Sequence, residues 1–249
     1  MSLQACAEVV AKADPDRFRA VMTVPLTARE RLLPLYAFNV EVARAPWVTE
    51  EPLIAEMRLQ WWRDVLEEIA VDGPVRRHEV VDALSPVVRD RQVPMDALMC
   101  VIDARRWDIE REPFAELDAM KRYCADTGGG LMWAAAKALG SPDEAHARAI
   151  GQISGLANLL LAWAQLSRMG RQILEDPPEA AITDMARQAI DDLSSLRSRG
   201  DRALRYATRA AWRMGPVLRQ AAIDPAAVVE DMYRPDFRAR TDVGRVSVK

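Results

Sequence analysis

Asp103-Ala104-Arg105-Arg106-Trp107-Asp108 is the most concentrated block of paired charges in an otherwise apolar stretch. Two carboxylates and two guanidinium groups so close together suit either of two tasks. They can hold a polar head group, or they can tie helices together through ion pairs. A second set is Arg202, Arg205, Arg209 and Arg213, which fall within about 80° of one another on a helical wheel. Leu204, Ala207, Ala211 and Met214 take the opposite side. A basic amphipathic helix of this kind can meet anionic lipid or an acidic partner. The plainer alternative is a solvated face: only Lys12, Lys121, Lys137 and Lys249 of the 34 basic residues are lysines. Arginine bias together with abundant alanine reads as a GC-rich, bacterial genome, and single arginines then carry little weight.

Several chemistries lack their material. The histidines are His78 and His146, neither in an HExxH pattern nor beside a plausible nucleophile. Cys6, Cys100 and Cys124 are odd in number and lack CxxC spacing, which argues against a disulfide framework or a zinc site and fits a reducing compartment. No GxGxxG or GxxxxGK[ST] occurs. Gly128-Gly129-Gly130 stands alone in an apolar segment, where close helix packing or a helix break explains it better than ligand approach. A net charge of -3 gives no reason to expect nucleic acid. No catalytic or metal-ligating residue is assigned on these grounds.

The elements that must position these groups are helices. No run alternates with period two between turn signals, so the expected class is all-α, as one helical domain over residues 1–233 followed by a basic tail at 234–249. Thr27 with Glu30 predicts a capping box for a helix ending before Pro46. Thr49 is expected to cap the next, which runs through Trp61 and Trp62 to Gly73-Pro74. Ser85-Pro86 and Pro94 read as further starts, the second opening a segment through Asp108. Ser141-Pro142-Asp143-Glu144 predicts an N-cap at Ser141 and a helix to about Gly170. Asp176-Pro177-Pro178 breaks the chain before a long helix to about Met214, and Asp224-Pro225 starts a last short one. Ala149 to Leu166 is uncharged, but its Gln, Ser and Asn residues favour a buried central helix over a membrane span. Glu8, Lys12 and Asp14 argue against a signal peptide, so the cytoplasm is the expected location, with peripheral contact at the inner membrane if the arginine face meets lipid.

Three ordered blocks carry a resemblance. Leu35-Tyr36-Ala37-Phe38-Asn39 is followed by Arg58-Leu59-Gln60-Trp61-Trp62-Arg63. Ile102 to Asp108 is followed by Arg122-Tyr123-Cys124 and Gly128 to Leu131. Gly151 to Asn158 is followed by Gly170-Arg171. In order and spacing these resemble the squalene/phytoene synthase family, the head-to-head isoprenoid synthases. The resemblance implies a helical bundle around a central apolar cavity, and in active members two prenyl diphosphates bound through magnesium. Magnesium and a diphosphate demand carboxylates on two facing helices. Here the first aspartate pair is replaced by Ala43-Arg44, and the later positions read Ala162 and Leu166. An apolar face cannot hold magnesium.

The Tyr-Ala-Phe-Asn-x-Glu and Asp-Ala-Arg-Arg-x-Asp patterns are similar to a divergent branch of that family, which includes a mitochondrial complex I assembly factor. That likeness implies a non-catalytic protein acting by binding, with no cofactor, a protein partner such as respiratory complex I subunits, and an isoprenoid or lipid as a further candidate ligand. The alternatives are a prenyltransferase with a displaced metal site, which would use magnesium, and a lipid carrier. Tyr36, Phe38, Trp62, Tyr123, Gly129, Asn158, Ala162 and Leu166 are the expected cavity lining. Ordinary core packing is the competing role for the aromatic members, and holding helix register for Asn158. With hydrated carboxylates gone, the cavity is expected to be apolar and partly closed.

Overall fold

The computed structural model describes residues 2–71, 73–175, 179–196 and 200–230. The helices in chain order are α1 (Ser2–Ala13), α2 (Pro15–Val21), α3 (Leu26–Arg44), α4 (Pro52–Ala70), α5 (Glu79–Arg91), α6 (Met95–Ala104) and α7 (Arg106–Glu110). They continue with α8 (Leu117–Cys124), α9 (Gly130–Ala138), α10 (Glu144–Arg168), α11 (Glu179–Leu196), α12 (Arg202–Ala207), α13 (Met214–Ile223) and α14 (Ala226–Glu230). Among the described residues there is no strand, only an isolated bridge between Phe114 and Leu174. The all-α expectation is met. The expected break at Asp176-Pro177-Pro178 and the tail at 234–249 lie outside the described residues.

Two helices form the centre. In α3, Leu32 through Val40 are all buried, so this helix is covered on every side rather than amphipathic. The second is α10, the one helix among the described residues long and apolar enough to cross a membrane, yet 61% of its apolar window is buried inside the protein. Its Leu159, Leu160 and Leu161 are buried as the sequence predicts. The first half of α10 packs with α9 in one apolar cluster, and its second half joins α11 and α13 in another. The join is tight. Between α8 and α9 the chain winds as a π-helix over Ala125–Gly129. There a Cβ on Gly128 would lie 2.4 Å from the Gly151 carbonyl oxygen, so Gly128 and Gly151 bring two backbones into contact. The glycine run serves helix packing, as expected.

Several starts differ from the sequence reading, each for a local reason. The Thr27–Glu30 box does not form; Pro25 precedes the first turn of α3 without a side-chain cap. Arg29 instead fixes the entry by donating to the carbonyls of Val24 and Met22, both at 2.8 Å. Thr49 accepts from Glu51 N at 3.1 Å, ahead of a helix that begins with Pro52. Ser85-Pro86 lies inside α5, whose cap is His78: its Nδ1 accepts from Val80 N at 3.2 Å. Val80, Val81, Leu84, Val87 and Val88 are buried across the proline, and that burial outweighs one missing hydrogen bond. Asp143, not Ser141, caps α10 by accepting from His146 N. The segment after Pro94 is two helices that meet at Arg105, and the long helix expected up to Met214 is broken. Asp201 starts a new helix by accepting from Leu204 N at 2.9 Å, and α12 ends in a 3-10 turn over Thr208–Ala211.

Candidate functional site

Where α3 ends, the chain tightens into a 3-10 turn over Ala45–Trp47. Between that turn, α2, the π-helix and α10 lies a cavity of about 470 Å³. This is within the roughly 300–1,000 Å³ of small-molecule sites. Its apolar wall is made by Ala43, Leu131, Leu159, Ala162, Leu166 and Met169, with Trp47 at its edge. Its polar wall carries Arg17, Asn39, Arg105, Asp108, Tyr123, Thr127 and Asn158. The cavity is open on one side, and its lining is mainly apolar, as the sequence predicts, with a set of polar groups among it. Where carboxylates are expected, α3 carries Ala43 and α10 carries Ala162 and Leu166; the polar lining comes from Asn39 and Asn158 on the same two helices and from α2, the α6–α7 junction, α8 and the π-helix.

The polar wall is an ordered relay. Arg105 donates from Nη1 to the Tyr123 hydroxyl at 2.5 Å and to Asp108 Oδ2 at 3.3 Å. Tyr123 in turn donates to Asp108 Oδ2 at 2.8 Å. Burial pushes the Tyr123 phenol well above its ordinary pKa, so it stays a neutral donor. Arg171 closes the relay from behind by donating to the Asp108 carbonyl at 2.6 Å. Its guanidinium packs on the rings of Trp47 and Trp107, 5.0 and 4.9 Å from their centroids. Trp107 stacks on Phe114 with ring centroids 4.0 Å apart.

The polar block Asp103 to Asp108 therefore divides. Arg105 and Asp108 face the cavity, whereas Asp103 accepts from Arg63 and Arg106, and Arg106 also donates to Glu56 at 2.8 Å. That second half is a half-exposed ion-pair network tying α4 to the α6–α7 junction. The division follows from residue spacing on the turn: both pairs are three apart, and their two faces point in different directions.

Of the residues expected to line the cavity, Tyr123, Asn158, Ala162 and Leu166 do so. Tyr36 borders only a recess of about 30 Å³ beside it, shared with Arg17 and Asn158. Phe38 is a correction: it is fully buried, edge-on to Trp62 at 5.4 Å. Trp62 borders a separate groove with Trp61 and His78. Gly129 turns to the backbone of α10, where a Cβ would meet the Arg148 carbonyl oxygen at 3.1 Å, and Gly128 takes its place at the cavity. The arginine stripe is also corrected. Arg209 donates to the carbonyl and hydroxyl oxygens of Thr23, and Arg213 pairs with Asp16 at 2.7 Å. Arg202 and Arg205 remain exposed, but on a six-residue helix they make no continuous basic face. Sequence reasoning missed Arg17, Asn39, Trp47 and Arg171. Asn39 and Arg171 stand in the blocks that carry the family resemblance, and Asp14-Pro15 is a helix start that puts Arg17 in the first turn; Trp47 had no signal.

The donor set does not fit magnesium. Ala43, Ala162 and Leu166 offer no oxygen ligand, and the one carboxylate on the wall, Asp108, already accepts from Arg105 and Tyr123. Among the described residues, no three His, Cys, Asp or Glu side chains gather as a metal site.

This architecture is the isoprenoid-synthase fold. It superposes on a dehydrosqualene synthase in complex with ligand with a TM-score of 0.78, at 14% identity, covering 99% of this chain and 94% of that one. The squalene synthase HpnC from Alicyclobacillus acidocaldarius matches with a TM-score of 0.66 at 15% identity, over 91% and 92% of the two chains. The Squalene/phytoene synthase family matches residues 10–218, and the chain belongs to that family. It is similar to NADH dehydrogenase (ubiquinone) complex I, assembly factor 6, of Homo sapiens: 26% identical over 160 residues, 63% of this chain and 48% of the relative. The Drosophila melanogaster homolog is 28% identical over 166 residues, 62% of this chain and 48% of the relative. The chain thus spans about half the length of these relatives.

Proposed function

We propose that this is a non-catalytic member of its family that acts by binding, as an assembly factor for a respiratory NADH dehydrogenase complex. The observation that carries the first half is the cavity wall: Ala43, Ala162 and Leu166 stand where the synthases' resemblance calls for aspartates. Without that metal clamp, a departing diphosphate lacks the cations that stabilise its developing charge in the synthases. The second half is supported by the likeness to assembly factor 6 in two animal lineages. The surface offers a place for a protein partner. Trp47, Val48, Leu53, Ile54 and Met57 are large, apolar and exposed around the start of α4, with Arg44 and Arg58 at the edge of the adjoining groove. We place the protein in the cytoplasm, meeting its partner at the inner membrane.

The test is an affinity pull-down from the native organism at endogenous expression. Enrichment of NADH dehydrogenase subunits, lost when Leu53, Ile54 and Met57 are changed together to Ser, is the expected result. Enrichment of carotenoid or hopanoid enzymes instead would overturn the reading.

A further inference from the structure

We infer that the exposed apolar face at the start of α4 is covered by the same face of a second copy of this chain, the two helices lying antiparallel about a twofold axis near Ile54. The inference rests on the patch itself and not on which complex the chain helps to assemble. A second copy and such a partner compete for the same surface.

Among the described residues, nine large apolar side chains are exposed, and five of them, Trp47, Val48, Leu53, Ile54 and Met57, fall between residues 47 and 57. Apolar residues scattered singly need no explanation, but a cluster marks a surface that is covered in use. The cluster does not belong to the core. Ala55, Leu59, Trp62, Leu66 and Ile69 of α4 already pack inward, so Leu53, Ile54 and Met57 stand on the outer face, where an amphipathic helix carries polar groups. Further along, that outer face is polar again: Gln60 donates to Asp64 at 2.8 Å, and Glu67 is exposed. The floor beside the patch is preorganised, since Trp61 stands edge-on to Trp62 with ring centroids 4.9 Å apart and Arg76 covers it at 5.3 Å.

The charges around the patch single out the occupant. Most nearby ions are spent within the chain: Arg44 pairs with Glu41 at 2.7 Å, Glu56 with Arg106 at 2.8 Å, Arg63 with Asp103, and Arg76 with Glu68. Among the described residues, Glu50, Glu51 and Arg58 are exposed and take part in no ion pair. Along the chain the order is acid, apolar, base: Glu50-Glu51, then Leu53, Ile54 and Met57, then Arg58. A surface with acid at one end and base at the other complements itself when reversed.

A twofold axis supplies that reversal. Along a helix, Arg58 lies about 6 Å beyond Ile54 and Glu51 about 4.5 Å before it. Antiparallel packing centred at Ile54 therefore brings each Arg58 to the second copy's Glu51, and each Leu53 to the second copy's Met57. Every contact is made twice, so two ion pairs bracket one apolar centre, as the charged rim and dry core of a small interface require. Any apolar partner matches the centre, but this chain also carries the matching charges at the matching spacing. An anionic bilayer fits less well, because Glu50 and Glu51 would meet its head groups at the edge of the patch.

The test is sedimentation velocity of the full chain over about 1–100 μM, the range in which a small interface assembles. A monomer–dimer equilibrium is expected. Ile54→Arg puts two like charges on the axis and should leave a monomer at every concentration, with its melting curve intact because Ile54 is half-exposed. Glu51→Arg and Arg58→Glu should each weaken the dimer by about tenfold, since two attractive contacts become two repulsive ones. The chain carrying both changes has the pair reversed, and its affinity should return to within about threefold of wild type, a rescue that mere damage to the fold would not show. A monomer throughout would overturn the inference and leave the patch to a heterologous partner or a membrane. Assembly beyond the dimer would overturn it too, because a twofold contact closes. So would a dimer that survives Ile54→Arg, or a double variant no tighter than the single ones. A confirmed dimer beside a pull-down without NADH dehydrogenase subunits would end the assembly role alone.

Discussion

Gly151→Ala tests the packing that sets the cavity's floor. A methyl there would stand 2.4 Å from the Gly128 carbonyl oxygen, 2.6 Å from Met132 Cβ and 2.7 Å from Gly129 Cα. Carbonyl and Cα atoms belong to the backbone, so no rotamer change relieves the clash. The π-helix and α10 must separate by about 1 Å to restore ordinary contact. Overpacking costs about 1–3 kcal/mol, and backbone against backbone belongs at the upper end. Removing a mid-helix glycine returns about 1 kcal/mol of helix propensity, leaving a net loss of about 2 kcal/mol. For a chain of this size that lowers Tm by about 4–8 °C. Thermal melts followed by circular dichroism read it directly, with Gly73→Ala as the control, since its nearest neighbour would be Val71 Cγ2 at 3.9 Å. Gly128→Ala, whose methyl would meet the Gly151 carbonyl oxygen at 2.4 Å, should fall with Gly151→Ala, and the double variant should cost less than their sum. A Gly151→Ala protein that melts at or above wild type would refute the close approach, and with it the placement of Gly128 and Asn158 around the cavity.

Three further outcomes follow from individual side chains. Cys6 and Cys124 are buried, with thiols pushed by burial to about 12, whereas Cys100 is exposed; a thiol-reactive dye should label one cysteine in the native protein and three after denaturation. Arg213→Gln breaks a half-buried pair with Asp16 and should lower Tm, whereas Arg202→Gln with Arg205→Gln should leave it within about 2 °C, exposed charges contributing little. Burial works against ionising Asp201, but the Ser141 hydroxyl and the N–H groups of Leu204 and Ala203 outweigh it and hold its carboxyl below the usual range. Its contribution is therefore present above the unfolded pKa and lost as pH falls through the lower folded value. Asp201→Asn should flatten the acid limb of a Tm–pH profile below about pH 4, and an unchanged limb would contradict the assignment.

The helices and the central place of α10 were legible because uncharged runs and prolines mark burial and starts directly. Cap identity was less so. Thr27 and Ser141 are good caps by type, but Arg29 reaching back to Val24 and Asp143 standing nearer α10 decided the matter. The arginine stripe misled because its periodicity assumes one continuous helix, and the 3-10 turn over Thr208–Ala211 interrupts it between Arg205 and Arg213. In the cavity, the α3 and α10 positions could be read from the spacing of the family blocks. Arg171 stands in a family block and Arg17 in a first helical turn, but their place beside the cavity could not be read, since it is set by the meeting of α2 with α3 and by a guanidinium on two tryptophans far apart in sequence.

A binding role of the kind proposed requires that this synthase fold perform no synthase reaction. Purified protein incubated with labelled farnesyl or geranylgeranyl diphosphate and magnesium tests it most directly, by looking for squalene, phytoene or released pyrophosphate. Without the clamp, each 1.4 kcal/mol of lost leaving-group stabilisation slows reaction about tenfold. Turnover should therefore not exceed a heat-killed control. Product above that control, abolished by EDTA, would rule out the non-catalytic role and point to Glu41, Glu50 or Glu51 as displaced ligands.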